Sequence, residues 1–149
     1  MSSVQLSLKG RALRLLSGRE HSRLELERKL ARFEEEPGAL KCSLDELQAK
    51  GFISEQRVIE SVLHRRAAKL GAARIQHELQ GKGLDGQAVA QAMAQLQLSE
   101  HERALSIWQK KFGSTPTTAR EAARQIRFLS ARGFAAEAIR KIVKGPASA

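Results

Sequence analysis

The side chains that could do catalytic or metal chemistry are few in this chain and stand far apart. The four histidines are His21, His64, His77 and His101, and their spacing does not match that of zinc ligands. His77-Glu78 begins like the helical zinc motif H-E-x-x-H, but Gly81 stands where the second histidine belongs. Cys42, the single cysteine, has no histidine close to it in sequence that could activate the thiol. We therefore expect a protein that is not an enzyme and that holds neither a metal nor a cofactor.

Basic side chains, in contrast, are abundant and collect toward the C-terminal half. The net charge is +10 and the isoelectric point is about 10.5. The net charge is +1 over residues 1–62, +3 over 63–98 and +6 over 99–149. Such an excess indicates a polyanionic partner, which could be nucleic acid, an acidic protein surface or a membrane face. For any single residue, a solvated surface that only aids solubility is the alternative interpretation.

Several of these cations share a predicted helix face or helix junction. Arg120, Arg124 and Arg127 fall within about 60° on a helical wheel of residues 118–132, with Ile126 and Leu129 on the far side. The other candidate binding residues are Arg65, Arg66, Lys69 and Arg74 around one helix junction, Lys110 and Lys111 at the equivalent place one unit later, and Arg132, Arg140 and Lys141 toward the C-terminus. Guanidinium groups suit carboxylates and phosphates alike, so the residue types do not decide between protein and DNA.

The aromatic residues bear on the kind of nucleic-acid contact. Stacking of bases needs exposed aromatic rings, but Phe52 and Phe134 are expected at helix ends and Trp108 in the core. Any contact with single- or double-stranded DNA should therefore be non-specific, made mainly to phosphates and strongly dependent on salt.

Helix starts are marked by capping residues. The capping-box spacing S/T-x-x-E occurs at Ser22-Glu25, Ser43-Glu46, Ser99-Glu102 and Thr118-Glu121, and Ser54 and Asp85 are further N-cap candidates. These marks predict where the polar side chain accepts a hydrogen bond from the first turn.

Helix ends follow one repeated pattern. Leu47-Gln-Ala-Lys50-Gly51-Phe52 recurs as Leu79-Gln-Gly-Lys82-Gly83-Leu84 and as Leu129-Ser-Ala-Arg132-Gly133-Phe134. Each predicts a Schellman ending, with glycine in the left-handed conformation and the next apolar residue folded back onto the leucine. Three matched endings indicate repeated helix–turn units.

Together these signals predict an all-α chain with about nine helices and no sheet. The expected helices are 8–17, 22–35, 43–50, 54–70, 72–82, 86–97, 99–112, 118–132 and 135–143. Ser54-Glu55 and Ser99-Glu100 begin similar segments 45 residues apart, Leu15 and Val62 align at an offset of 47, and Leu30, Leu79 and Leu129 occupy corresponding places. This self-similarity predicts an elongated array of three tandem three-helix repeats: 1–53 with an irregular loop near 34–42, then 54–98, then 99–144, followed by a tail at 145–149.

The location of the protein follows from what the sequence lacks. A single cysteine allows no intramolecular disulfide, and no apolar run resembles a signal peptide or a membrane span. We expect a soluble, cytoplasmic monomer that does not enter a membrane.

An ordered set of residues resembles the RecX family, regulators of the bacterial recombinase RecA. The resemblance lies in Phe52-Ile-Ser-Glu-Gln-Arg57, Arg65-Arg66, Gly71, Arg74-Ile75, Glu78-Leu79, Lys82-Gly83, Lys110-Lys111 and Arg132-Gly133-Phe134, with an opening stretch from Ala12 to Leu30. It covers residues 8 to 143. The segment 55–59 departs from the family pattern by being less acidic and lacking an aromatic residue, and the loop at 34–42 is irregular.

The resemblance implies a negative modulator of RecA. Such a protein would bind the RecA–DNA filament along its groove and inhibit ATP hydrolysis, strand exchange and co-protease activity in recombination and SOS DNA repair. The alternative from the charge alone is a general basic nucleic-acid-binding protein that acts by coating DNA.

Overall fold

The structure is a computed structural model that describes residues 5–144, so the predicted tail at 145–149 lies outside the described residues. Within this range the chain forms nine α-helices and no strand. They are α1 (Leu8–Gly18), α2 (Arg23–Leu30), α3 (Ala39–Ala49), α4 (Glu55–Arg66), α5 (Ala72–Gly81), α6 (Gln87–Leu98), α7 (Glu100–Lys111), α8 (Ala119–Ala131) and α9 (Ala136–Ile142), with a 3-10 turn over Ala31–Phe33 after α2. Every one of these helices is too short or too polar to cross a lipid bilayer.

The helices pack in consecutive triplets, each around its own apolar core. α1–α3 enclose the cluster that contains Ala12, Leu26 and Leu44, α4–α6 that of Val62, Ile75 and Met93, and α7–α9 that of Ala104, Trp108 and Leu129. The extensive helix–helix contacts of the described chain lie inside the triplets, apart from the contact between α6 and α7. The predicted all-α array of three-helix units is confirmed, and we refer to the triplets as units 1, 2 and 3. The residue boundaries at 53/54 and 98/99 remain a proposal.

The three repeated helix endings are Schellman motifs, as predicted. Gly51, Gly83 and Gly133 have φ of 85°, 81° and 90°. In each motif the N–H after the glycine donates to the carbonyl of Leu47, Leu79 or Leu129 at 2.9 to 3.3 Å. The apolar partner differs: Leu84 and Phe134 are buried, but Phe52 is 47% exposed. The expectation that the Phe52 side chain is buried against the end of its helix is therefore wrong.

Three of the expected N-caps are present. Ser22 forms the full capping box with Glu25, and the Ser54 and Thr118 hydroxyls accept from Arg57 N–H and Glu121 N–H. The carboxylate of Glu121 reaches one residue further back than expected, where it accepts from the N–H and hydroxyl of Thr117. Helices α2, α4 and α8 thus begin where local chemistry places them.

The caps expected at Ser43 and Asp85 are wrong, and Ser99 occupies the N-cap of α7 without the expected side-chain hydrogen bond. Helix α3 begins at Ala39, because the Glu34 carboxylate accepts from Leu40 N–H at 2.7 Å, and this leaves Ser43 inside the helix. Ser99 ends α6 and starts α7 at once, so its backbone is not extended, and its hydroxyl donates to Leu96 O. Beside Asp85, it is Gly86 that occupies the N-cap of α6, without a side-chain cap.

Two further expectations about side chains were tested by burial. Trp108 lies in the core, as predicted, and its indole N–H donates to Gln125 Oε1 at 2.8 Å. Ile126, expected on the buried side of α8, is 43% exposed, because Gln125 and Leu129 form the buried stripe instead. Because Gln125 is hydrogen-bonded to the buried Trp108, Gln125 rather than Ile126 faces the core, which the apolar pattern of the sequence alone does not predict.

Neighbouring units are joined in a repeated way. The Schellman glycine of one unit packs onto the first turn of the second helix of the unit before it: a Cβ on Gly83 would lie 2.9 Å from Leu24 Cδ2, and one on Gly133 would lie 2.3 Å from Arg74 Cγ. Leu24 and Arg74 are 50 residues apart, as are the two glycines. The same close approach therefore sets both junctions.

Charged groups hold the first junction together. Glu25 of unit 1 accepts from Arg19 at 2.7 Å, from Ser22 N–H at 3.0 Å and from Lys82 of unit 2 at 3.1 Å, with Glu25 and Lys82 each only 15% exposed. Burial alone would raise the pKa of Glu25, but these hydrogen bonds outweigh it and lower the pKa to about 2. Beside it, burial lowers the pKa of His21, whose Nε2 accepts from Lys29.

We expect the Glu25 network to make the protein acid-sensitive. Since folding lowers the Glu25 pKa from 4.5 to about 2, its stabilisation is complete above pH 4.5 and is lost as the pH falls through that window. Urea unfolding between pH 6 and pH 2 should therefore show that Glu25→Gln loses less stability on acidification than the unsubstituted chain, by about 1–3 kcal/mol. Glu60→Gln, at an exposed glutamate without an ion pair among the described residues, is the control. Equal acid slopes for the two variants would contradict the assignment.

Candidate anion-binding cleft

A basic cleft lies where unit 2 meets unit 3. Lys69 from the turn after α4, Lys110 and Lys111 from the end of α7, and Arg132 from the end of α8 line a cavity of about 320 Å³. Its apolar floor is formed by Ala68, Ile107 and Phe128. All four cations are among the residues expected to bind an anion.

The walls of this cleft are fixed by one side-chain and one backbone hydrogen bond between the units. The Arg132 guanidinium donates to Lys69 O at 3.2 Å, and Gly71 N–H donates to Arg132 O at 2.8 Å. Gly71 and Gly133 are so close that a Cβ on Gly71 would lie 2.3 Å from the Gly133 carbonyl carbon. The turn of unit 2 and the helix end of unit 3 therefore form one rigid edge.

Two ionic side chains, the buried Glu100 and the partly buried Arg103, support the same junction from behind. Glu100, only 8% exposed, accepts from Ala72 N–H at 2.8 Å at the start of α5, where the helix dipole favours a negative charge. Arg103 donates to the carbonyls of Ala67, Leu70 and Leu96 at 2.6 to 3.0 Å. Burial lowers the pKa of Arg103, against the attraction of Glu100. Sequence reasoning missed both residues, since their partners lie about 30 residues away and no local pattern marks them.

The cations of the cleft lack acidic partners. Across residues 5–144, no carboxylate lies within ion-pair distance of Lys69, Lys110, Lys111 or Arg132. Lys111 and Arg132 lie over the Phe128 ring, at 5.5 and 4.7 Å from its centroid, and Phe112 packs edge-on against it. The aromatic ring orients the two cations. Four positive charges at one wall can attract a phosphate or carboxylate that approaches from solvent.

The remaining candidate residues have different surroundings. Arg65 and Arg66 both face Glu78, at 3.7 and 3.0 Å, so their charge is partly neutralised. Arg74 donates to Ala131 O at 2.6 Å and packs against Gly133, which makes it part of the unit junction. Lys141 pairs with Glu137.

The arginines of α8 form a separate surface. Arg120, Arg124 and Arg127 are exposed, as is Arg140 on α9, and none of them has an ion-pair partner within the described range. The helical-wheel prediction that these three arginines of α8 share one solvent-facing stripe agrees with their exposure. Whether they bind anything stays a prediction.

The fold and the cleft define the class: an all-α protein of tandem three-helix units with a cationic cleft at a unit junction. Comparison with known proteins narrows this class to one family. Residues 99–143 match the family model for the third three-helix domain of RecX. Regulatory protein RecX of Leptothrix cholodnii is 50% identical over 140 residues, covering 94% of this chain and 89% of that protein. Regulatory protein RecX of Ralstonia nicotianae is 45% identical over 140 residues, covering 94% and 88%.

Solved structures agree with this relationship at the level of fold. The crystal structure of RecX from Lactobacillus salivarius superimposes with a TM-score of 0.73 at 20% identity, covering 91% of each chain. A second crystal structure of a regulatory protein RecX gives a TM-score of 0.73 at 17% identity, covering 95% of this chain and 81% of that one. The chain therefore belongs to the RecX family of regulatory proteins, as its sequence resemblance implied.

Proposed function

We propose that this protein is a negative modulator of RecA that binds the RecA–DNA filament and inhibits its ATPase, strand-exchange and co-protease activities in recombination and SOS DNA repair. The observation that carries this proposal is family membership across nearly the whole chain, at 50% identity to a regulatory protein RecX. It acts without catalysis, as a cytoplasmic monomer, and needs no cofactor.

The basic cleft between units 2 and 3 gives the proposal a physical contact. Its four cations have no acidic partner among the described residues, so an acidic surface or a phosphate can bind there without first breaking an internal ion pair. Units that stack in a row can also contact successive protomers of a filament, which adds avidity without tighter single contacts. The proposed units 1–53, 54–98 and 99–144 would each provide part of that contact.

A second candidate function is coating of DNA without contact to RecA. The exposed stripe of Arg120, Arg124 and Arg127 favours it, because unpaired arginines on one helix can track a phosphate backbone. A DNA coat would work only when enough protein is present to cover the strand, and it would fade steeply as salt rises.

The deciding experiment is the DNA-dependent ATP hydrolysis of RecA on single-stranded DNA, with this protein added well below the RecA concentration. We expect strong inhibition at a small fraction of RecA, because a filament-bound inhibitor affects many protomers. Inhibition that begins only near coverage of the DNA lattice would support the coating function instead. No inhibition at any ratio would contradict both.

A further inference from the structure

The first unit contains a second basic cleft, in a part of the chain whose net charge is nearly zero. Arg11 and Arg14 from α1, Lys29 from α2 and Arg32 from the following 3-10 turn surround a cavity of about 340 Å³. Leu6, Leu15, Leu30 and Phe33 give it an apolar lining. The net charge of the sequence segment does not reveal this site, because Glu34, Glu35, Glu36 and other acidic residues offset the charge of its four cations.

These cations are not neutralised by the acidic residues of their own unit. None of the four forms an ion pair with a carboxylate in the described part of the chain, and Lys29 donates only to the Nε2 of His21, at 2.9 Å. Glu35 and Glu36 line an adjoining cavity that shares Arg11, Arg32 and Phe33 with the cleft, and neither glutamate lies within ion-pair distance of a cleft cation. These two glutamates therefore face Arg11 and Arg32 across that cavity without pairing with them, while Arg14 and Lys29 line only the basic cleft.

Phe33 organises the charged wall. The guanidinium carbons of Arg11 and Arg32 lie 3.7 and 4.6 Å from the centroid of its ring. An arginine held against a ring keeps its N–H edges available for an anion while it loses side-chain freedom. Because the ring is already engaged by two cations, it is poorly placed to stack on a nucleic-acid base.

The repeat shows how one position of the groove differs among the three units. Leu15, Val62 and Ile107 correspond on the first helix of each unit, and Leu30, Leu79 and Leu129 correspond on the second, which makes Lys29, Glu78 and Phe128 equivalent positions. In unit 2, Glu78 forms ion pairs with Arg65 and Arg66, the residues that correspond to Lys110 and Lys111 of unit 3. In units 1 and 3 the equivalent residue is a lysine or a phenylalanine, and the cations remain unpaired by carboxylates in the described chain.

The geometry points to an acidic peptide segment with an apolar side chain beside its carboxylates as the occupant of the unit 1 cleft. Phosphates of a nucleic acid would satisfy the cations but leave the apolar lining without a partner. An apolar side chain of a peptide would bury that lining, while flanking carboxylates would pair with Arg14 and Arg32 at the rim. The inference concerns this chain's own site and goes beyond action on RecA.

The test uses fluorescence anisotropy of a fluorescein-labelled peptide in which a Leu–Phe pair is flanked by glutamates. The full chain with Lys110→Glu and Lys111→Glu serves as the background, so that the cleft of units 2 and 3 does not mask the first. Adding Arg14→Gln and Arg32→Gln should weaken binding by about tenfold or more. Adding Lys41→Gln on α3 and Lys50→Gln at its C-cap, two exposed cations outside the cleft, removes the same charge and should change binding less than about threefold.

Two comparison probes complete the experiment. A peptide with the Leu–Phe pair replaced by Ser–Gly should bind at least about fivefold more weakly, because it cannot bury the apolar lining. A labelled oligothymidylate tests the phosphate alternative. The inference is overturned if both double substitutions weaken peptide binding equally, if the Ser–Gly peptide binds as well, or if the oligothymidylate alone depends on Arg14 and Arg32. None of these readouts contains RecA, so they are independent of the proposed inhibition.

Discussion

Replacing Gly133 with alanine is expected to lower the free energy of unfolding by about 3–5 kcal/mol. Two effects add at this position. The backbone has φ of 90°, a left-handed conformation that costs a residue with a Cβ about 1–2 kcal/mol. The added Cβ would also lie 2.7 Å from Arg74 N and 2.3 Å from Arg74 Cγ, so units 2 and 3 must move apart or distort.

Gly51→Ala is the matched control for this substitution. Gly51 ends α3 in the same Schellman geometry, with φ of 85°, but an added Cβ would meet no atom within 4 Å. We expect it to cost only the backbone share, about 1–2 kcal/mol, in urea unfolding monitored by circular dichroism. Equal losses at the two positions would contradict the expected clash between the added Cβ and Arg74.

This pair of glycines also marks how far the sequence predicts the fold. The three helix endings are readable from sequence because a Schellman motif is local: its leucine, basic residue, glycine and apolar residue lie within six consecutive positions. The atoms that a Cβ at each glycine would contact are not predictable from the local sequence. Gly83 meets Leu24, Gly133 meets Arg74, and Gly51 meets nothing, although the three motifs look alike in the sequence.

The incorrect caps have the same cause. Ser43 and Ser99 both have the right spacing to a glutamate, but α3 begins before Ser43, and the Ser99 hydroxyl makes other hydrogen bonds at the start of α7. Glu34 caps α3 from six residues before Leu40, and Arg103 draws the Ser99 hydroxyl toward the unit junction at 3.0 Å. A capping box is a reliable predictor only where no other hydrogen bond competes for its side chain or for the first N–H groups of the helix.

For the candidate sites, residue type was predictable and grouping was not. The charge pattern marked Lys69, Lys110, Lys111 and Arg132 together with eight other cations, but only the packing of α4, α7 and α8 brings these four around one cleft. Arg65 and Arg66 look equally free in sequence and are paired with Glu78 in the fold. The unit 1 cleft gave no signal at all, since net charge along a chain does not record which side of a helix each charge occupies.

Reversing Lys110 and Lys111 to glutamate is expected to weaken inhibition of RecA by about 2–4 kcal/mol of binding free energy, or about 30-fold to several hundred-fold in the half-inhibitory concentration. Both side chains are exposed at the rim of the cleft and make no ion pair with a carboxylate among the described residues. Reversal therefore turns attraction for an acidic partner into repulsion without breaking an internal ion pair. The measurement is RecA ATPase titrated with the double variant.

The control for this prediction is Lys41→Glu with Lys50→Glu, which makes the same change in net charge on α3 at a distance from both clefts. If inhibition depends on a defined contact in the cleft of units 2 and 3, this variant should retain it to within about threefold, because remote exposed charges are screened at physiological salt. The control also removes the exposed ion pair between Lys41 and Asp45, which should lower its stability only slightly, because an exposed pair contributes little to the free energy of unfolding. A parallel loss of inhibition would mean that net charge acts over the whole surface, as DNA coating requires. If both variants still inhibit RecA as strongly as the unsubstituted chain, the cleft does not contribute to inhibition. Charge reversal of Arg120, Arg124 and Arg127 on α8 would then be the next test.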